Sequence, residues 1–203
     1  MSGCCEGECA LNARHAQQRQ TLIWVLLINA IMFVVIVVAA ILSDSSALLS
    51  DSFDNLGDAI TYMLSLYAVS RGPELKAKVA LFKGVLIFLG ASVVIGQIIY
   101  KLFNPVVPIF ELMGIFSVLS LLANGTCLAL LWRHRKEDVN MSSVWECSRN
   151  DIASNLSVFI AAGLVWFFNS GWPDILIAAA LATLLLRSSY RVIYSAMQEL
   201  RKG

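Results

Sequence analysis

The sequence predicts an all-α membrane protein, a bundle of six transmembrane helices with both termini cytosolic, and three observations carry that prediction. Of the 203 residues, 58% are hydrophobic and only 14% charged, whereas soluble domains carry roughly a quarter charged residues. The apolar residues gather into six stretches of about twenty, the helical length that crosses ~30 Å of hydrocarbon. The basic residues fall on one side of the implied membrane. Arg14, Arg19, Arg71, Lys76, Lys78, Lys83, Arg133, Arg135, Lys136, Arg201 and Lys202 share it, and Lys101 stands alone on the other, which sets the orientation. A formal net charge of +1 gives no basic footprint for nucleic acid. Five cysteines, three of them in the first nine residues, make no disulfide framework.

Residues 1–20 read as a polar cytosolic tail without the apolar run of a signal peptide. Cys4, Cys5 and Cys9 stand there with Glu6 and Glu8, and soft thiolates suit zinc, cadmium or copper(I). Two readings stand for them. One is a metal-capturing tail; the other is a reduced tail with no ligand role, because the spacing completes no zinc motif. The first span, residues 21–42, has no charge and one strongly polar side chain, Asn29, which suits a hydrogen bond between helices. The second runs over residues 47–69 and ends before a polar loop, 71–78, broken by Pro73.

The third span, residues 79–100, has Lys83 near its start, where a long cationic side chain snorkels to the interface. Gly84, Gly90 and Gly96 recur along it, and small residues let helices approach closely. The fourth, residues 112–132, encloses Asn124 and Cys127, the latter a small buried hydrophobe in character. The fifth covers residues 144–168. The sixth opens at Asp174, just after Pro173 in a first-turn position, and runs to about residue 193, with Arg187 and Arg191 snorkelling near its end. The six-helix domain is thus residues 21–195, and 196–203 form a short cytosolic tail.

The second span is the anomaly. Asp51, Asp54 and Asp58 lie three, four and seven apart; at roughly 100° per residue they fall within an arc of about 60°. An ionisable group near the bilayer centre costs at least ~2.5 kcal/mol, so three on one stripe need positive charge or a wet cavity. They read as lining a divalent-metal path. On the fifth span, Cys147 and Asp151 are four apart, the spacing of Asp54 and Asp58. Two helices that each offer such a pair close a four-coordinate site. One thiolate and three carboxylates suit a metal of borderline softness, zinc or cadmium, rather than magnesium or calcium. Asp51 is either a group on the outward path or a helix-start residue near the interface. Asn155 continues the face of Asp151 and is a candidate donor to a ligating carboxylate. Arg149, two residues from both Cys147 and Asp151, belongs on the opposite face.

The stretch SALLSDSFDNLGD resembles the second-helix signature of the cation diffusion facilitator family, Asp or His followed four residues later by Asp. The run Cys147-Ser-Arg-Asn-Asp151 matches that family's fifth-helix His-x-x-x-Asp, and GWPDILIAAALA resembles the opening of its sixth helix. The resemblance extends over all six spans in order. It implies a secondary transporter, not an enzyme, that exports a divalent cation from the cytosol, zinc foremost with cadmium or cobalt as alternatives, in exchange for protons. No permanent cofactor is implied, since the metal is the substrate. The transport site it implies is Asp54, Asp58, Cys147 and Asp151, with Asp51, Asn155, Cys4, Cys5 and Cys9 as accessory candidates. The implied partners are the metal ion, the lipid bilayer and a second copy in a homodimer, in a bacterial inner membrane. Three departures stand out. Cys147 replaces the usual His, with an ordinary pKa of ~8.5 against ~6.5. Ile36 stands where many members carry Glu. Only about a dozen residues follow the last span, too few for the family's cytosolic C-terminal domain. A membrane-bound metal-binding or sensing protein without transport is the alternative reading.

Overall fold

A computed structural model describes residues 3–68, 73–133 and 139–201. They form six α-helices: α1 (Gly3–Ser43), α2 (Ser46–Ala68), α3 (Pro73–Phe103), α4 (Phe110–Trp132), α5 (Val139–Phe168) and α6 (Trp172–Leu200). Several reach beyond the apolar runs that announce them, because hydropathy marks the hydrocarbon thickness and not the end of the helix. α1 begins within the segment read as a polar tail, and α6 continues to Leu200. The side chains of Cys4, Cys5 and Cys9 lie outside the described residues.

Five helices contain stretches long and apolar enough to cross a membrane: Gln17–Ser43, Ala80–Phe103, Phe110–Trp132, Ser148–Phe168 and Trp172–Leu200. The outward stripe of α1, with Trp24, Ile31, Val34, Val38 and Ile41 exposed, repeats every three or four residues as a lipid-facing side must. The chain is an integral, multi-pass membrane protein. At 23 residues, α2 has the length to cross at 1.5 Å per residue, but its aspartates and serines keep it out of the apolar set. It is shielded instead, packing against α1, α3, α5 and α6. α1, α2, α5 and α4 form a four-helix ring through the neighbouring pairs α1–α2, α2–α5, α5–α4 and α4–α1, while α3 and α6 pair with each other and lie against α2.

Two apolar clusters close the ring. One, including Ile36, Ala39, Leu48, Met113, Val165 and Ala178, lies toward the α1–α2 and α5–α6 connections, the outer end in the charge-based orientation. The other, Leu22, Val25, Tyr62, Cys127 and Leu131, lies toward the inner end. Asn29 bridges helices there, its Nδ2 donating to Val25 O at 2.9 Å and to Cys127 Sγ on α4 at 3.6 Å. Cys127 is fully buried, as its character suggested. Two of the three α3 glycines are contact points. A Cβ at Gly90 would overlap the Phe53 ring of α2, and one at Gly84 would stand 2.6 Å from Ile193 of α6; one at Gly96 would meet nothing within 4 Å.

The outer end is locked by a buried ion pair. Asp174, fully buried at the start of α6, lies 3.3 Å from the ammonium of Lys101 on α3. Its carboxylate also accepts hydrogen bonds from Ser45 Oγ (2.6 Å), Ser46 N (2.9 Å) and Ala47 N (3.0 Å). A carboxylate of one helix thus caps the N-terminus of another, where free N–H groups and the helix dipole favour negative charge. Ser45 Oγ adds a local cap on Leu48 N at 3.1 Å, and Lys101 also donates to Asp44 O. Asp44 and Asn169 turn their connections with φ of 54° and 46°, left-handed conformations that Asp and Asn tolerate.

Two outcomes follow from this packing. Asp174→Ala leaves the Lys101 ammonium buried without its carboxylate and should cost about 3–5 kcal/mol, read as a fall in thermal unfolding temperature in detergent beside a near-silent Arg133→Ala control. Gly90→Ala should destabilise by about 1–3 kcal/mol through overpacking against Phe53, while Gly96→Ala leaves the unfolding temperature unchanged or raises it.

Candidate functional site

The acidic stripe of α2 faces a cavity of about 640 Å³ bounded by α2, α3, α5 and α6. Asp51, Asp54 and Asp58 line it together, as their shared helix face requires, and Asp151 lines it from α5. Asp58 and Asp151 are both buried and line the same chamber from α2 and α5. Asp51 accepts a hydrogen bond from Ser120 Oγ of α4 at 2.9 Å, which ties the acidic helix to the far side of the ring. Asn55, next to Asp54, is turned inward, its Nδ2 on Asp51 O at 2.9 Å.

Cys147 sits on α5 one turn before Asp151, and its side chain lies outside those the structure describes. Among the described residues, no three His, Cys, Asp or Glu side chains stand close enough together to hold a metal ion. Asp54, Asp58 and Asp151 therefore share a chamber without converging on one point. Asn155 is fully buried, and among the described residues neither its Nδ2 nor its Oδ1 has a hydrogen-bond partner. A buried amide in that condition calls for water or an ion. Arg149 is exposed, its guanidinium 5.4 Å from the centre of the Trp145 ring, and does not line the cavity.

Two parts of this arrangement were not foreseen from the residues. Lys83 does not snorkel to the interface. Its Nζ donates to Thr61 Oγ1 on α2, and the side chain lines the cavity with the acids. The reason is electrostatic: a chamber of carboxylates attracts an ammonium more strongly than a lipid boundary does. Arg187 and Arg191 of α6 are exposed and also line the chamber, so three cations stand toward its inner part. The second part is the Asp174–Lys101 lock; the signal for it was Lys101 itself, the lone basic residue on its side of the membrane.

A chamber that sets four carboxyl groups against three cations inside a membrane bundle has the chemistry to take up small cations in competition with protons, since metal ligands must shed protons to coordinate. Comparison with known proteins agrees with that chemistry. Residues 22–201 match the model of the cation efflux transmembrane domain. The chain is 28% identical over 201 residues to the "Cadmium, cobalt and zinc/H(+)-K(+) antiporter" of Bacillus subtilis (strain 168), covering 88% of this chain and 63% of that protein. It is 25% identical over 181 residues to the "Zinc transporter ZitB" of Yersinia pestis, covering 80% of this chain and 56% of that protein. The chain thus spans somewhat under two thirds of the length of the relatives it matches. With the six-helix order, the shielded acidic helix and a family match over nearly the whole chain, the protein belongs to the cation diffusion facilitator family of membrane transporters.

Proposed function

We propose that this protein is a secondary transporter that exports a divalent metal cation, zinc foremost and cadmium or cobalt as alternatives, from the cytosol in exchange for protons. The transport site is Asp54 and Asp58 of α2 with Cys147 and Asp151 of α5. The observation that carries the reading is that Asp54 and Asp58 of α2 share one chamber with Asp151 of α5. It brings the two helices together where each offers a four-residue-spaced pair, and carboxyl groups that bind a metal must first give up their protons. The relatives' names, which include zinc, cadmium and cobalt, support the substrate class. A homodimer in a bacterial inner membrane belongs to the same proposal.

The chamber reaches from Ser50 and Asp51 past Asp58 to Arg187 and Arg191, and the opposite end is held by the buried Asp174–Lys101 pair and the outer apolar cluster. That asymmetry supports an inward-facing form that takes metal from the cytosolic side. Rocking of the helix pairs then exposes the same site outward. Protons from the outside reoccupy the carboxyl groups and release the metal. The thiolate of Cys147 adds a soft donor, which favours zinc and cadmium over harder ions.

Four measurements test this. In sealed vesicles of purified protein, Asp58→Ala should abolish zinc flux; flux at the wild-type level would remove the site. Flux should follow an imposed pH gradient, with a potassium gradient as a separate arm because the Bacillus relative carries both ions in its name. Equilibrium zinc binding should weaken as pH falls, because each ligand must give up its proton to bind. Cys147→His should retain flux while lowering cadmium affinity relative to zinc, read by calorimetric competition.

A further inference from the structure

We propose that Lys83 is the resident counter-cation of the acidic chamber: its ammonium lies on the carboxylate face of α2 when the metal is absent and is displaced when the metal binds. The proposal deepens the transport reading above and rests on it. The placement comes from two helix registers. Thr61 is three residues beyond Asp58 and seven beyond Asp54, so it continues the acidic face one turn inward. Its hydroxyl donates to Gly57 O at 2.8 Å, which leaves its lone pairs to accept from Lys83 Nζ, and that bond is made. α3 is held at this distance by two close approaches. A Cβ at Gly57 would meet Ile87 at 3.2 Å, one turn along both helices from the Thr61–Lys83 contact, and Gly84 beside Lys83 lets α3 press onto Ile193 of α6. The ammonium is therefore built into the site, one turn from Asp58 along α2, and lines the chamber together with Asp54 and Asp58.

The charges facing it define its effect. Asp51, Asp54 and Asp58 from α2 and Asp151 from α5 stand against Arg187 and Arg191 from α6. Without a metal, the fixed ammonium offsets part of the mutual repulsion of the carboxyl groups in a poorly solvated space. With a metal present, two cations compete for the same carboxylates, and affinity drops. A transport site has to bind well enough to load and weakly enough to unload. Lys83 shifts the balance toward unloading: it opposes the metal while bound and takes its place as it leaves. Neutral replacement should therefore tighten binding and slow turnover, the opposite of what loss of a ligand does.

The test uses the full chain and zinc as the probe. By calorimetry at fixed pH, Lys83→Gln and Lys83→Met should bind zinc roughly tenfold more tightly than wild type, the scale of one close, partly desolvated charge pair. In vesicles both should show a lower KM and a lower maximal rate. Lys83→Arg, which keeps the charge, should restore both values toward wild type. In the unmutated protein, zinc should increase the acylation of the Lys83 amine by a water-soluble reagent, located by peptide mass spectrometry. Neutral variants that bind zinc no more tightly, an arginine variant that behaves like the glutamine one, or Lys83 labelling indifferent to zinc would each overturn the proposal. Asp58→Ala runs alongside: wild-type zinc affinity there would remove the underlying site, whereas loss of binding there with unchanged Lys83 variants removes only the counter-cation.

Discussion

Three carboxylates on a 23-residue helix cannot face lipid, and the placement of the other five helices answers that constraint. At a cost of at least ~2.5 kcal/mol for each ionisable group left near the bilayer centre, the acidic face must meet protein and water along its whole length. α2 is accordingly surrounded: α1 and α5 flank it in the ring, and the α3–α6 pair covers the remaining side. The lipid-facing work falls to helices such as α1, whose outer stripe is aliphatic and aromatic. The same arrangement creates the chamber, to which α3 and α6 bring Lys83, Arg187, Ser188 and Arg191 beside the apolar Ile87, Leu181, Leu184 and Leu185.

The two ends of α2 are held in different ways. At the outer end its first N–H groups are taken up by Asp174, which is itself fixed by Lys101. A buried pair of this kind adds little net stability over an apolar substitute, but it resists separation strongly because each charge needs the other. Toward the inner end the helix meets a hydroxyl-to-ammonium contact and a cavity. A helix fastened at one end and loosely occupied at the other is arranged to pivot, and the chamber lies on the loose side. Under the transport reading proposed above, outward opening would require the fastened end to yield, and the Asp174–Lys101 pair would be the barrier against leakage.

The helix order, the buried stripe and the shared chamber of Asp51, Asp54, Asp58 and Asp151 were legible because each follows from periodicity: apolar runs mark spans, and residues three, four and seven apart share a face. Asn29 as an interhelical donor and Arg149 as an outward residue follow from the same geometry. What was not legible depends on which helices become neighbours. Lys83 looked like an interfacial lysine because its own span says nothing of Thr61, twenty-two residues earlier on the opposing helix. Asp174 looked like a helix-opening acid because its partners come from two other segments. Helix ends were also misjudged, since apolar length measures the bilayer and helices continue past it.

The character of the site follows from its charge balance more than from any one ligand. Four carboxyl groups against three cations make a chamber close to neutral, unlike a cage built to retain a metal permanently, which would concentrate negative charge and exclude competing cations. On the two proposals above, such a chamber admits a divalent ion only if protons leave or the ammonium moves aside, and both are reversible. If Cys147 ligates as proposed, thiol in place of imidazole acts on the same balance: a ligating thiolate brings a negative charge where a neutral imidazole brings none. Each additional negative charge tightens a divalent ion, so a chain with Cys147 has more need of an opposing cation than one with His. On that argument Lys83 and Cys147 form a compensating pair. Cys147→His should reduce the tightening produced by Lys83→Gln, and a double-mutant cycle in zinc affinity should show coupling between two positions on different helices.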